Sequence, residues 1–415
     1  MKQHGSLPRV PALTRRDALR AGVLGGAVAL ASGARAFARP RGSARDTLVL
    51  VFLRGGADGL SVVVPYQDAH YHALRPNLGI GAADVTDLDG YFGLCRTASA
   101  MRPLYDAGRL AFVQAVGSLN PSRSHFEAMR RIEQAAVFGG SLEDGWMARH
   151  LNLTSPASSA ATARGVAIDT TLPDAMKGSP TTMAVQALHQ LRLGGPAATV
   201  PGRSDVLRTM LAQTPPPDGP RGETSLRFLE ALDGVDFVGR PVPPGVTYPS
   251  GKFGSALFEA ATLIQADVGV EAIEVDYGGW DHHGFSGPLD GNLGGKVRTL
   301  SEGLAALMAD LGAAADRTTV LVMSEFGRRV DENGSSGFDH GRGGLAMVLG
   351  GAHVRGGQIF GSWPGLAPHQ LDDDALAVTT DLRHVIGEIL ERRMGTADLG
   401  AVLPGYSPNY LGIVS

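Results

Sequence analysis

The sequence predicts an α/β fold, a sandwich of helices around a mostly parallel central sheet. Three observations point there: short continuous apolar runs recur along the chain, amphipathic helical stripes lie between them, and the runs lack polar alternation. Strands covered on both faces read this way. With 415 residues, 43% of them hydrophobic, the chain has enough to bury one large core or two smaller ones, so disorder is not the default reading.

The first run, Thr47 to Leu53 (TLVLVFL), reads as a central parallel strand that ends in Arg54-Gly55-Gly56-Ala57-Asp58-Gly59. Similar runs follow at Leu110 to Val116, Val166 to Ile168, Ile273 to Val275, Thr319 to Met323 and Leu345 to Leu349. Val297, Leu300, Leu304, Leu307 and Leu311, spaced alternately by three and four, make one apolar helical stripe. Leu382, Val385, Ile386, Ile389 and Leu390 make another, with Thr380 as its expected N-cap. Residues 152–164 and 195–224 are rich in Ala, Ser, Pro, Gly and Thr and read as loops or insertion boundaries. No sharp composition change marks a second domain. The expected organisation is one domain over residues 39–415 with a variable insertion near 150–250.

At the N-terminus, Thr14-Arg15-Arg16-Asp17-Ala18-Leu19-Arg20 precedes a Gly- and Ala-rich stretch, Ala21 to Ser32, and a small-x-small site, Ala36-Phe37-Ala38. This pattern is a twin-arginine export signal over residues 1–38. It predicts the twin-arginine translocase as a partner during export and a periplasmic or extracellular mature protein with no stable membrane span. No later segment reaches the roughly 18 apolar residues that a span requires. Cys95 is the only cysteine, so no intrachain disulfide forms even in an oxidising compartment. A formal charge of -4, with no basic cluster beyond the N-terminus, argues against a nucleic-acid partner.

Chemistry-bearing residues gather at strand ends. Asp58 follows the first strand, Asp281-His282-His283 the fourth and Glu325 the fifth, and Asp339-His340 sits in a glycine-rich loop before Leu345. Strand ends at one edge of an α/β sheet are where ligand sites form. Carboxylate and imidazole together suit divalent ions such as zinc or manganese. Between the second strand and the next helix lies Asn120-Pro121-Ser122-Arg123-Ser124-His125-Phe126-Glu127. Ser122 or Ser124 there is the N-cap of an ordinary Ser-x-x-Glu capping box, or a nucleophile whose pKa a metal ion lowers. Arg54, Arg123 and His125 are candidates to hold an anionic ester, and Arg123, as a catalytic residue, together with Arg328 and Arg342, to neutralise its non-bridging oxygens.

Five segments in order, Leu53-Arg54-Gly55-Gly56-Ala57-Asp58-Gly59, Ser122-Arg123-Ser124-His125-Phe126, Gly279-Trp280-Asp281, Ser324-Glu325-Phe326-Gly327-Arg328 and Asp339-His340-Gly341-Arg342-Gly343-Gly344, resemble the DUF1501 family. That family comprises exported bacterial proteins of unassigned function, related to the alkaline phosphatase and sulfatase superfamily. The resemblance covers roughly residues 45 to 412. It implies an alkaline-phosphatase-like three-layer α/β/α sandwich, with Asp58, Asp281, His283 and His340 matching metal ligands and Ser122 or Ser124 lying where a nucleophile opens a helix. Ser324-Glu325-Phe326-Gly327 stands where the superfamily has Ser-Asp-His-Gly. Glu325 still suits a hard ion but Phe326 does not, so the second metal site loses a nitrogen ligand. His282 and Asp339 are possible extra ligands.

These matches imply one or two divalent ions, Zn, Mn, Ca or Mg, in a hydrolase of phosphate or sulfate esters. Its substrate would be a small anionic ester or a sulfated or phosphorylated glycan. The alternative is a non-catalytic exported binding protein that keeps the fold and one structural ion. An oxidoreductase is disfavoured, because the glycine-rich turn after the first strand lacks the G-x-G-x-x-G spacing.

Overall fold

The computed structural model describes residues 46–136, 142–156, 163–191, 200–215, 218–233 and 235–415. The expected export signal over residues 1–38 lies outside the described residues. The main sheet has nine strands: β1 (Thr47–Arg54), β2 (Leu110–Gly117), β3 (Gly165–Ala167), β4 (Thr182–Ala184), β5 (Ala272–Gly278), β6 (Thr318–Met323), β7 (Gly344–Leu349), β8 (Ile359–Phe360) and β9 (Thr380–Asp381). Their order is β8-β2-β7-β6-β1-β5-β3-β4, with β9 also pairing β2. All six apolar runs of the sequence are strands of this sheet.

β1 is central and parallel to both neighbours, with Val51 opposite Val275 of β5 on one side and Val322 of β6 on the other. Its side chains alternate between two cores. Val49, Val51 and Leu53 join one and Leu48, Leu50 and Phe52 the other, all nearly excluded from solvent. Burial of each is worth roughly 1.5–3 kcal/mol, so truncating one, as in Leu50→Ala, removes about 2–5 kcal/mol. The pairing is parallel throughout except at β7, which runs antiparallel to both β2 and β6.

The described longer helices are α1 (His125–Gln134), α2 (Trp146–Leu153), α3 (Val200–Ala212), α4 (Asp218–Ala231), α5 (Lys252–Ala266), α6 (Asn292–Leu311) and α7 (Leu382–Arg392). The predicted stripe Val297, Leu300, Leu304, Leu307 and Leu311 is the buried face of α6, packed beside α5 on the first core. Trp146 and Leu151 of α2, Ile132 of α1 and the apolar face of α7 cover the second core. Helices on both faces of a mostly parallel sheet make the three layers.

Two local expectations need correction. Asp381, not Thr380, caps α7: its carboxylate accepts the Arg383 amide at 2.9 Å, while Thr380 is the first residue of β9. A carboxylate at this position satisfies an orphan donor and meets the positive end of the helix. The second Pro- and Gly-rich stretch is not loop throughout, since it contains α3 and the first half of α4. Pro201 and Pro220 both fall in a first helical turn, where a missing N–H removes no intrahelical bond.

Candidate metal centre

Because β1, β2, β5 and β6 share one direction, their C-terminal ends meet at one edge of the sheet. Gly55 follows β1, residues 118–125 follow β2, Asp281 and His283 follow β5, and Glu325 follows β6. His340 precedes its strand, and in a parallel strand it would sit at the far edge. The reversed sense of β7 delivers it to the same place.

There, His125 Nε2, Asp281 Oδ1 and His340 Nε2 form a group of potential ligands. The two nitrogens are 2.9 Å apart, and Asp281 Oδ1 lies 3.4 Å from the first and 3.3 Å from the second. His283 Nε2 adds a fourth atom, 2.9 Å from both Asp281 Oδ1 and His340 Nε2. Ligands around a tetrahedral zinc with bonds of about 2.0–2.1 Å are themselves about 3.3 Å apart, and His125, Asp281 and His340 have that spacing.

The outer side of each ring fixes what its inner side offers. His125 Nδ1 is 2.7 Å from Glu325 Oε1, His283 Nδ1 is 2.9 Å from Asp339 Oδ1, and His340 Nδ1 is 2.8 Å from the Arg123 carbonyl. Ionised carboxylates and carbonyls only accept, so each Nδ1 carries the proton, which leaves each neutral ring a lone pair on Nε2. The Nε2 atoms of His125 and His340 and one carboxylate oxygen therefore converge where a cation would relieve them, with His283 Nε2 beside the group. Carboxylate or carbonyl partners behind ligating imidazoles are the usual support of a metal site.

The electrostatics agree. Partial burial would raise the Asp281 carboxyl, but the hydrogen bond and charge of Arg328 outweigh it and hold the group at about 2. Burial likewise opposes ionisation of Glu325, yet the His125 hydrogen bond and nearby backbone amides hold it below the usual range. The Glu325 hydrogen bond raises His125, whereas burial lowers His340. Glu325 is only 1% exposed and also accepts from Gly55 N at 2.8 Å and Ser324 Oγ at 2.9 Å. Gly55 has φ +116°, and a Cβ there would lie 2.8 Å from the Asp281 amide nitrogen, so the two loops meet only because no side chain intervenes.

A family model matches the stretch from just before α5 to beyond α7. Residues 244–403 match DUF1501, described as a protein of unknown function. The DUF1501 match contains Asp281, His283, Glu325 and His340, whereas His125 and Asp58 lie before it. A search of curated proteins returns no match. Solved structures that match the chain include Ps i-CgsB in complex with k-i-k-neocarrahexaose, at 12% identity and TM-score 0.39 over 87% of this chain and 75% of that one. Ps i-CgsB alone gives 11% and 0.40 over the same shares. The C-terminal periplasmic domain of EcEptC from Escherichia coli, in complex with Zn, gives 13% and 0.31 over 75% of this chain and 74% of that one.

Of the residues named from sequence beside the DUF1501 signature, the structure brings Asp281, His283 and His340 together. It adds His125, which was expected to touch substrate. The available signal was a histidine in the first turn of the helix that opens beyond β2. Glu325 and Asp339 stand one layer back, behind His125 and His283. His282 turns aside, its Nδ1 3.0 Å from the Trp280 carbonyl. Phe326 packs its ring 4.8 Å from that of His125 and 5.1 Å from that of His340, so the residue that cannot ligate is an apolar wall of the centre.

Asp58 lies apart. Its two oxygens take a bidentate contact from Arg75 at 2.7 and 3.0 Å, with Ser61 Oγ donating at 2.5 Å, and both charged residues are almost fully buried. Asp58 and Glu325 thus form no second cation site, because a guanidinium already neutralises the first and His125 engages the second. Nothing in the sequence pattern announced Arg75, which ends a short helix, Ala69–Leu74.

The arginines expected to hold substrate are engaged. Arg54 contacts three carboxylates, Glu133 at 3.0 Å, Glu274 at 3.1 Å and Asp276. Arg328, 2% exposed, donates to Asp281 at 2.6 Å and to the carbonyls of Gly55, Gly56, Trp280 and Phe338. Arg123 and Arg342 pair with the more exposed Asp373 and Asp372, at 3.0 and 2.9 Å. Ser124 is the N-cap of α1 but makes no side-chain cap bond, and Ser122 Oγ donates to Glu127 at 2.9 Å, so the capping box does not form.

Proposed function

We propose that the protein is an exported metal-dependent hydrolase of phosphate or sulfate esters, directed out of the cytoplasm by residues 1–38. The convergence of His125 Nε2, His340 Nε2 and Asp281 Oδ1, with His283 Nε2 adjacent and each ring braced from behind, carries the reading. His125, Asp281, His283 and His340 would hold one divalent ion. That ion would supply Lewis-acid polarisation of an ester oxygen and ease deprotonation of a hydroxyl or water.

The chain's own residues do the rest. Arg328 keeps Asp281 ionised and oriented, and Glu325 and Asp339 fix the tautomers of His125 and His283. The side chains of Asp281 and His283 are each 45% exposed, which leaves the solvent side open for an ester to enter. Ser124, exposed and uncapped beside His125, is the first candidate nucleophile, with Ser122 or a water behind it. Arg123 and Arg342 would exchange their exposed aspartate partners for the oxygens of the ester, an easy exchange because exposed ion pairs hold only about 0–1 kcal/mol.

Turnover of aryl phosphate monoesters, diesters and sulfates by zinc- and manganese-loaded protein tests this. Asp281→Ala should lose metal and activity together, and Ser124→Ala should keep metal and lose turnover. Retained turnover in Ser124→Ala moves the role to Ser122 or water. The burial of Arg54 and Arg328 in internal networks favours a second reading, a binding protein with one structural ion. Metal retention with no hydrolysis across the panel would select it.

A further inference from the structure

Two phenylalanines beside the centre are the most exposed large apolar side chains among the described residues. Phe126 is 87% exposed and Phe285 84%. Phe126 directly follows His125, and Phe285 follows His283 by two positions, so each ring is tethered within two residues of a cluster imidazole. The two imidazoles reach the same His340 Nε2, each at 2.9 Å. Leu119, 55% exposed, stands on the loop that leads from β2 to the same site. Phenylalanine normally goes inside, and a large exposed ring is informative where it is grouped with others around a site.

Phe285 is also held outward against backbone preference. Its φ is +47°, in the left-handed region that bulky side chains rarely adopt. Its loop is clipped in place by Phe285 N to the Ser335 carbonyl at 3.0 Å, Ser286 N to the Ser336 carbonyl at 2.8 Å, and Asn333 Nδ2 to the His283 carbonyl at 2.9 Å. A strained backbone position fixed by several bonds holds this side chain out toward solvent, and such strain clusters at functional sites. Phe126 is fixed similarly by the first turn of α1.

We infer that Phe126 and Phe285 form an apolar rim that grips the organic part of the metal-bound ester, and that the substrate therefore carries an aryl or comparably apolar group beside its anionic head. The inference rests on the hydrolase reading and names the substrate class of the same site. The centre holds the anion. The rim selects what is attached to it, with each ring contributing roughly a two- to tenfold gain in affinity through ring contact.

Calorimetric titration of the zinc-loaded protein with methylphosphonate and phenylphosphonate separates the two parts, since both present the same anionic head. Phenylphosphonate should bind at least several-fold more tightly. The gap should shrink in Phe126→Ser and in Phe285→Asn, and close in the double variant, with methylphosphonate affinity unchanged throughout. Asparagine tolerates positive φ, so Phe285→Asn should unfold at the same temperature or a higher one, which keeps a folding failure from imitating the result. Equal affinity for the two phosphonates in the parent protein, or a gap that survives the double variant, overturns the rim. A gain shown by glucose 6-phosphate but not by phenylphosphonate overturns the apolar substrate in favour of a sugar. Failure of both phosphonates to bind overturns the hydrolase reading itself.

Discussion

Two acidic positions at the same sheet edge, Asp58 after β1 and Asp281 after β5, meet opposite fates. Asp58 is buried against an arginine and lies in a neutral, closed pair. Asp281 also touches an arginine, but it is half open to solvent and faces three imidazole lone pairs. The first centre carries its cation within the chain; the second, on the proposed reading, would take one from outside. The difference teaches that a carboxylate at a strand end says little about a metal until its counter-charge is located, and here Arg75 lies 17 residues from Asp58 in the chain.

Removal of Arg75 should expose this contrast most strongly. Arg75→Ala leaves a buried, unpaired carboxylate, so denaturant unfolding should show a loss of about 3–5 kcal/mol, with the metal content of the folded fraction unchanged. A small stability change would show that Asp58 has another partner. At the open centre the pattern should invert. His340→Ala should weaken zinc binding more than about 100-fold, while the metal-free protein loses no more than about 1 kcal/mol. Equilibrium dialysis and thermal unfolding in chelator measure the two halves.

Glu325→Gln probes the layer behind the ligands. Loss of its charge behind His125 should lower metal affinity by about 10–100-fold without removing a ligand. Dialysis distinguishes this from a purely structural role, which would leave the affinity unchanged.

The smallest effect is in pH. In metal-free protein Asp281 titrates at about 2, below its ordinary value. Its ionised form then stabilises the fold above about pH 4, and that contribution fades as pH falls from about 4 to about 2. Asp281→Asn should therefore flatten the acid limb of the stability curve only in that window. An unchanged limb would mean that Arg328 does not hold the carboxylate.

Much of this was legible in the sequence where one local signal dominates. Both-face burial left unbroken apolar runs, and those runs are the strands. The α6 stripe is legible for the same reason. The α7 cap was misplaced by one residue because hydroxyl and carboxylate compete for that position. The helices α3 and α4 were hidden by prolines that sit harmlessly in first turns. At the site, Asp281, His283 and His340 stand out because their residue types match one chemistry. His125 did not, since its place in the cluster depends on where α1 begins relative to β2. The fate of Asp58 was illegible, because Arg75 meets it only through tertiary packing. The strand sense that brings His340 to the edge is likewise a property of the assembled sheet.

The central claim is that the chain builds one external cation site and closes the other with its own arginine. Metal analysis of the purified protein, after dialysis against zinc and then against metal-free buffer, tests it most directly. The account predicts one zinc per chain in the parent protein and in Asp58→Asn, and none in the double variant His125→Ala/His340→Ala. Two ions per chain, with one lost in Asp58→Asn, would contradict it, as would a parent protein that retains no metal.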